Sequence, residues 1–166
     1  ISELVETDRW TPKMGDFERD LEGNWWFRTV GKGNKERQIS VSDSMLEALK
    51  RYRLARGLPE LPSPGEYTPL VHKARGKGGI TSPRQIRGIV QACFDGAQAN
   101  LSKDGFVEEA QQLTAATVHW LRHTGISEDV KHRPREHVRD DAGHGSSAIT
   151  DRYIDVQLNE RHASAR

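Results

Sequence analysis

Apolar and β-branched residues cluster in two short runs near the N-terminus, at positions 25–30 and 37–41. Runs of this length and composition are typical of β-strands. Between them lies Gly31-Lys-Gly-Asn-Lys-Glu36, whose glycines and asparagine tolerate the positive φ angles of a tight turn. The pattern therefore predicts an antiparallel hairpin in this part of the chain.

From about residue 44 onward, the apolar residues have the spacing of a helix. Ser44-x-x-Glu47 is a capping-box pattern, and it predicts a helix over about 44–56 that stops at Gly57. The prolines from position 59 to position 69 then predict an irregular crossing that is too short to link two domains.

A second helix is predicted from Thr81-Ser82-Pro83, a cap followed by a first-turn proline. Its apolar stripe consists of Ile86, Ile89, Val90, Phe94 and Ala97. Further helices are predicted over 108–113, from Thr117 with a break at Gly125, over 134–142 with a stop at Gly143, and from a Ser146-Ser147 cap. These elements predict a single α+β domain over residues 1–166, mostly helical, with a small antiparallel sheet near the N-terminus.

Composition narrows the class of protein. The 166 residues are 34% hydrophobic and 30% charged, which suits one water-soluble domain of ordinary size. No window approaches the roughly 20 apolar residues of a membrane span, and the first residues do not resemble an export leader, so we expect a cytoplasmic protein. The one cysteine, Cys93, excludes an internal disulfide, and its apolar surroundings predict a buried position.

Charge is strongly segregated along the chain, although the formal net charge is only +1. Residues 1–27 hold seven acids against three bases, whereas residues 28–56 hold eight bases against three acids. Residues 71–94 contain five bases and no acid, namely Lys73, Arg75, Lys77, Arg84 and Arg87. Such a stretch fits either a solvated face or a surface that binds a polyanion.

Candidate chemistry is concentrated in the C-terminal third. His119 and Arg122 are three residues apart, so a helix places the imidazole and the guanidinium on one face. His144 follows the predicted helix stop, and Tyr153 comes nine residues later. Taken singly, each of these residues also fits an ordinary surface or core position.

A metal site is the main rival interpretation, because His119 and His123 have the i, i+4 spacing of the helical pair in zinc hydrolases. Trp120 stands where those enzymes place their glutamate base. No carboxylate or cysteine nearby obviously completes a ligand set, so the sequence disfavours metal catalysis.

Three boxes occurring in order carry a resemblance to a known family. The Gly31–Arg37 turn resembles a lysine-bearing β-hairpin, Val118-His-Trp-Leu-Arg-His-Thr124 a His-x-x-Arg box, and Gly143-His144 with Thr150-Asp-Arg-Tyr153 histidine and tyrosine boxes. The hairpin and the three boxes are features of the catalytic domain of the tyrosine recombinases, the phage integrase family. Ile1-Ser-Glu-Leu4 is similar to the segment after that family's first catalytic arginine, which implies a chain truncated at its N-terminus, without that arginine and without the family's N-terminal DNA-clamping domain.

The resemblance implies a catalytic role for each matching residue. Tyr153 attacks the scissile phosphate to form a 3'-phosphotyrosyl link, Arg122 holds the phosphoryl oxygens, His119 helps with proton transfer and His144 hydrogen-bonds the phosphate. Lys32 is the expected general acid, with Lys35 as the rival if the turn is shifted. The family needs neither ATP nor a metal, so no cofactor is expected.

The resemblance also implies double-stranded DNA as the partner, with self-association to a tetramer on DNA, in a bacterial or phage-derived protein associated with the nucleoid. It favours DNA-contact roles for Lys35, Arg37, Lys73, Arg75, Lys77, Ser82, Arg84 and Arg87. A type IB topoisomerase and a catalytically inactive DNA-binding remnant of an integrase are the alternatives.

One departure from the family pattern bears on activity. Asp140-Asp141-Ala142 precedes Gly143 where relatives usually have bulky aliphatic residues, so we expect lost packing there to misplace His144. Together with the missing arginine, this predicts weak or absent cleavage by the isolated chain.

Overall fold

The computed structural model describes residues 1–31 and 33–144 of the chain. They fall into two compact units, the first spanning Ile1–Ser82 and the second beginning at Pro83. Within the described residues, the first unit holds a β-sheet and a helix, and the second holds further helices. This mostly helical α+β arrangement confirms the predicted fold class.

The sheet of the first unit is antiparallel, with strands β1 (Phe17–Arg19), β2 (Trp25–Val30) and β3 (Glu36–Ser40) in that order. Phe27 on β2 pairs with Phe17 on one side and Ile39 on the other. The predicted hairpin is therefore confirmed. The sequence did not reveal β1, because its three residues are too few to show an alternating pattern.

Helix α1 (Asp43–Ala55) packs against the sheet through its buried Leu49. Its cap is Ser42, whose hydroxyl accepts a hydrogen bond from the Met45 N–H at 3.3 Å, so the predicted cap at Ser44 is wrong by two residues. Both serines are good capping residues. Ser42 is the cap because its backbone is extended, whereas Ser44 already lies within the helix. Gly57 adopts φ +70° and ends the helix as predicted.

A buried ion pair holds the irregular proline-rich crossing in place. Arg53 on α1 is 1% exposed, and its guanidinium contacts both carboxylate oxygens of Glu66, at 2.9 and 3.0 Å. The Arg53 Nε also donates to the carbonyl of Pro59 at 2.8 Å. One side chain of α1 thereby fixes a segment that has no regular secondary structure of its own.

The second unit contains α2 (Pro83–Lys103), α3 (Val107–Gln112), α4 (Val118–His132) and α5 (Arg135–Ala142) within its described part. Helix α4 starts after Thr117, as predicted, but runs on through Gly125, so the predicted break there is wrong. Burial of the adjacent Ile126, which is 7% exposed, outweighs the roughly 1 kcal/mol that an interior glycine costs. None of the helices in the described ranges has the length and apolar content that crossing a bilayer requires.

Helix α2 shows that only part of its predicted apolar stripe faces inward. Ile86 is buried and Phe94 is half-buried, whereas Ile89, Cys93 and Ala97 form a neighbouring row that faces solvent. The predicted burial of Cys93 is therefore wrong. When the apolar stripe of a helix is wider than its buried face, the sequence does not show which of its residues are buried. The helix predicted from Ser146 lies outside the described residues.

Candidate active site

Helix α4 presents His119 and Arg122 on one exposed face. The Thr117 hydroxyl caps the helix by accepting from the Trp120 N–H at 3.3 Å, and the Trp120 ring packs edge-on against Phe94 of α2, with ring centroids 6.3 Å apart. The imidazoles of His119 and His123 lie 5.6 Å apart, centroid to centroid. The sequence prediction that a helix carries the His-x-x-Arg box is confirmed.

Arg122 connects α4 to the end of α5. Its Nη2 donates a hydrogen bond of 2.6 Å to the carbonyl of Ala142, the last residue of α5. A guanidinium has five N–H donors in a rigid fork, so this bond uses one of them and helps to set the plane of the group. The charged end of Arg122 is thus placed beside the backbone that leads, two residues later, to His144.

The direction of the chain at His144 is set by Gly143. Gly143 has φ +68°, and its N–H donates to the carbonyl of Asp140 at 3.1 Å. The N–H of His144 donates to the carbonyl of Arg139, also at 3.1 Å. This pair of bonds is a Schellman motif, which ends α5 where the sequence predicts. His144 is half-buried.

The two aspartates before Ala142 are ion-paired, which the sequence did not reveal. Arg133, just after α4, contacts Asp129 at 3.0 Å and Asp141 at 2.5 Å, and Asp140 pairs with Arg139. The hydrogen bond that Arg133 donates to Asp141 raises the pKa of Arg133 above its usual value. Eight residues and a helix boundary separate Arg133 from Asp141, so no helical spacing indicates the contact.

The predicted general acid, Lys32, lies outside the described residues, but the base of its turn is described. The N–H of Gly31 donates to the carbonyl of Lys35 at 2.9 Å, and Asn34 adopts φ +58°. The rival Lys35 is exposed. The predicted nucleophile, Tyr153, also lies outside the described residues.

Arg37, a predicted phosphate contact, forms an ion pair that braces the hairpin. Its Nη2 lies 2.5 Å from Oε2 of Glu3, and its side chain is only 19% exposed. The Thr29 hydroxyl lies 3.5 Å from the same oxygen, and a Cβ on Gly31 would lie 3.1 Å from the other one. Sequence reasoning missed Glu3, because 34 residues separate it from Arg37.

The remaining predicted DNA contacts fall in both units. In the first unit, the N–H of Lys73 donates to the carbonyl of Gly78 at 3.1 Å, and His72 forms an isolated antiparallel β-bridge with Gly79. These contacts close a glycine-rich turn on which Arg75 and Lys77 are exposed. Ser82 is half-buried at the end of that unit. Arg84 and Arg87 are exposed on α2 in the second unit. Over the described residues, no three His, Cys, Asp or Glu side chains are grouped so as to hold a metal ion.

No protein-family model and no curated protein matches this chain. Two solved structures are similar to it. The XerH site-specific recombinase bound to a palindromic difH substrate, a post-cleavage complex, aligns with 93% of this chain at 23% identity and a TM-score of 0.57. A pre-cleavage complex of XerH with its difH substrate aligns with 98% at 21% identity and a TM-score of 0.53. The chain covers 39% and 43% of those two chains. The resemblance to the tyrosine recombinases is thereby confirmed for the fold: the chain has the fold of their catalytic domain.

Proposed function

We propose that this chain is the catalytic part of a site-specific tyrosine recombinase that cleaves and rejoins double-stranded DNA. The observation that carries the proposal is the bond from Arg122 to the end of α5. It joins the helix that carries the His-x-x-Arg box to the segment that carries His144, in the order the family motifs require. The XerH site-specific recombinase structures, which are described as complexes with the difH substrate before and after cleavage, support the same class of reaction.

In the proposed reaction, the Tyr153 oxygen forms a bond to phosphorus while the bond from phosphorus to the 5' oxygen breaks. A phenol with a pKa near 10 is a weak nucleophile, so a base must take its proton, and His119 is the group proposed to assist. Lys32 gives a proton to the departing 5' oxygen, with Lys35 as the alternative donor. The product is a 3'-phosphotyrosyl diester, which a 5' hydroxyl can attack to reverse the step.

Arg122 stabilises the charge that develops on the phosphoryl oxygens. Its planar fork can bond two non-bridging oxygens at once, which the point charge of a lysine does less well. His144 donates a further hydrogen bond to the same phosphate. Such donors are most effective when they are held in position before the reaction, and the Schellman motif and the Ala142 carbonyl supply that rigidity.

We assign DNA binding to two groups of cations, and we propose that the protein assembles on DNA as a tetramer. The turn with Lys73, Arg75 and Lys77 and the α2 face with Arg84 and Arg87 carry positive charge without a neighbouring acid in sequence. Backbone phosphates are the natural partners of such surfaces, and Ser82 adds a hydroxyl donor. From the family resemblance alone, we also propose a mobile-element or prophage origin.

Covalent capture tests the proposal. The full chain is incubated with a library of nicked duplexes that have randomised sites, and denaturant-resistant protein–DNA adducts are collected. We expect adducts to accumulate slowly with the unaltered chain, in line with the weak cleavage predicted for it, and equally with Tyr67→Phe, a control at a tyrosine that is 87% exposed in the first unit. We expect none with Tyr153→Phe.

Three other outcomes would contradict parts of this assignment. DNA binding without any adduct would favour the inactive remnant. Relaxation of supercoiled plasmid by a chain that never exchanges strands between duplexes would favour the topoisomerase alternative. An adduct that persists in Tyr153→Phe would exclude Tyr153 as the nucleophile.

A further inference from the structure

An ion-pair bridge joins the two helices on which the proposed catalytic residues depend. Arg133, the residue that follows α4, contacts Asp129 of α4 at 3.0 Å and Asp141 of α5 at 2.5 Å. The Asp141 side chain is 16% exposed and that of Arg133 is 33% exposed, so solvent reaches the bridge only in part. We call Asp129, Arg133 and Asp141 the α4–α5 bridge.

The bridge acts next to the proposed phosphate-binding residues along the chain. Asp141 is followed by Ala142, whose carbonyl accepts the bond from Arg122, and then by Gly143, which directs His144. Helix α5 has only eight residues, and Val138, 1% exposed, is its buried side chain. A short helix with one buried side chain can rotate or slide unless a second contact fixes its end.

We propose, on the basis of the proposed function above, that Arg133 and Asp141 are positioning residues for Arg122 and His144. Their ion pair holds the end of α5 against α4, so that the Ala142 carbonyl stays within reach of Arg122 and Gly143 presents His144 at one fixed place. Because salt screens a partly exposed pair, the chemical step becomes sensitive to ionic strength independently of DNA binding.

Single-turnover adduct formation at saturating DNA tests this role. We expect Asp141→Asn to slow the reaction about tenfold, since displaced catalytic groups cost large factors in rate, while the Kd for DNA stays within about twofold. Asp141→Glu, which keeps the charge, should restore most of the rate. The matched control is Asp140→Asn, because that neighbouring carboxylate pairs with Arg139 within α5. Equal rates for the two Asn variants would overturn the proposal.

A second variant covers the case in which Asp141→Asn does not fold. Arg133→Met combined with Asp141→Leu replaces the ion pair with apolar packing, a change that often preserves stability. We expect this variant to form adducts at a rate that no longer falls when salt is raised at saturating DNA. If it keeps the salt dependence of the unaltered chain, the bridge does not position the site.

Failure of the proposal can be separated from failure of the proposed function. If the unaltered chain forms no adduct with any DNA, the enzymatic assignment fails, and the bridge is tested by the NMR signal of the His144 ring, assigned with a His144→Gln variant. A shift of that signal in Asp141→Asn and none in Asp140→Asn supports the bridge. The same spectrum in both variants refutes it.

Discussion

Gly143 shows how strongly one residue can depend on its backbone angle. Its φ of +68° is accessible to glycine at no cost, whereas a side chain there costs roughly 1 kcal/mol. We predict that Gly143→Ala lowers the free energy of unfolding by about that amount and displaces His144. Urea denaturation provides the measurement.

The matched control for that substitution is Gly96→Ala. Gly96 is exposed within α2, and a Cβ there would meet nothing within 4 Å. The same change should therefore stabilise the protein by roughly 0.5–1 kcal/mol, because alanine is the better helix former. If both variants shift stability in the same direction, the left-handed backbone at Gly143 is not what matters.

Arg122 provides a second prediction for a single residue. Arg122→Lys keeps the charge but loses the planar fork, so it bonds the Ala142 carbonyl and two phosphoryl oxygens together less well than arginine does. We expect adduct formation to slow about 100-fold, with the Kd for DNA changed only a few-fold. Arg9→Lys, at an exposed arginine of the first unit, should leave the rate unchanged. A large loss of DNA affinity in Arg122→Lys would instead make Arg122 a binding residue.

At the scale of elements, the buried pair between Arg53 and Glu66 determines whether the proline-rich crossing stays attached to α1. Burial raises the pKa of Glu66, but hydrogen bonds from Arg53, Thr68 and Ser63 outweigh it and lower the pKa to about 2. Because the folded-state pKa lies below the ordinary value of 4.5, the stabilisation is fully present above about pH 4.5 and is lost as the pH falls toward 2.

We therefore predict that Glu66→Gln lowers the free energy of unfolding at neutral pH by about 3 kcal/mol, since it breaks a buried pair from one side. The variant should also lose much of the pH dependence of unfolding below about pH 4.5. Glu47→Gln is the control, because Glu47 pairs with Lys50 on the solvent face of α1 and is 57% exposed. Parallel pH profiles for Glu66→Gln and the unaltered chain would contradict the prediction.

The sequence predicts the boundaries of helices and strands where a few adjacent residues determine them. The turn after β2, the Thr117 cap and the Gly143 stop each depend on a few adjacent residues, and the structure has all three where the sequence indicates them. The bridge through Asp141 and the brace from Glu3 to Arg37 join residues on separate elements, so no periodic pattern reveals them. The expectation that aspartates before Gly143 mean lost packing overlooked Arg133, which supplies a charged contact there.

At the scale of the whole molecule, the segregation of charge leads to a prediction about DNA affinity. Replacing Lys73, Arg75 and Lys77 by serine should reduce the slope of log Kd against log salt by about three, since each phosphate contact contributes about 0.9. Binding to duplexes of different sequence should weaken to a similar extent. Lys103→Ser, at the end of α2, should leave the slope unchanged. An unaltered slope in the triple variant would remove the glycine-rich turn from the interface.

The solvent-facing position of Cys93 on α2 affects how assembly must be measured. Since it is the chain's one thiol, air oxidation can couple two molecules through an intermolecular disulfide. In gel filtration or light scattering, such disulfide-linked dimers could not be told from dimers formed on the way to the proposed tetramer. Oligomer measurements therefore need a reductant or a Cys93→Ser variant, and the same thiol accepts a maleimide dye at one defined position without any mutation.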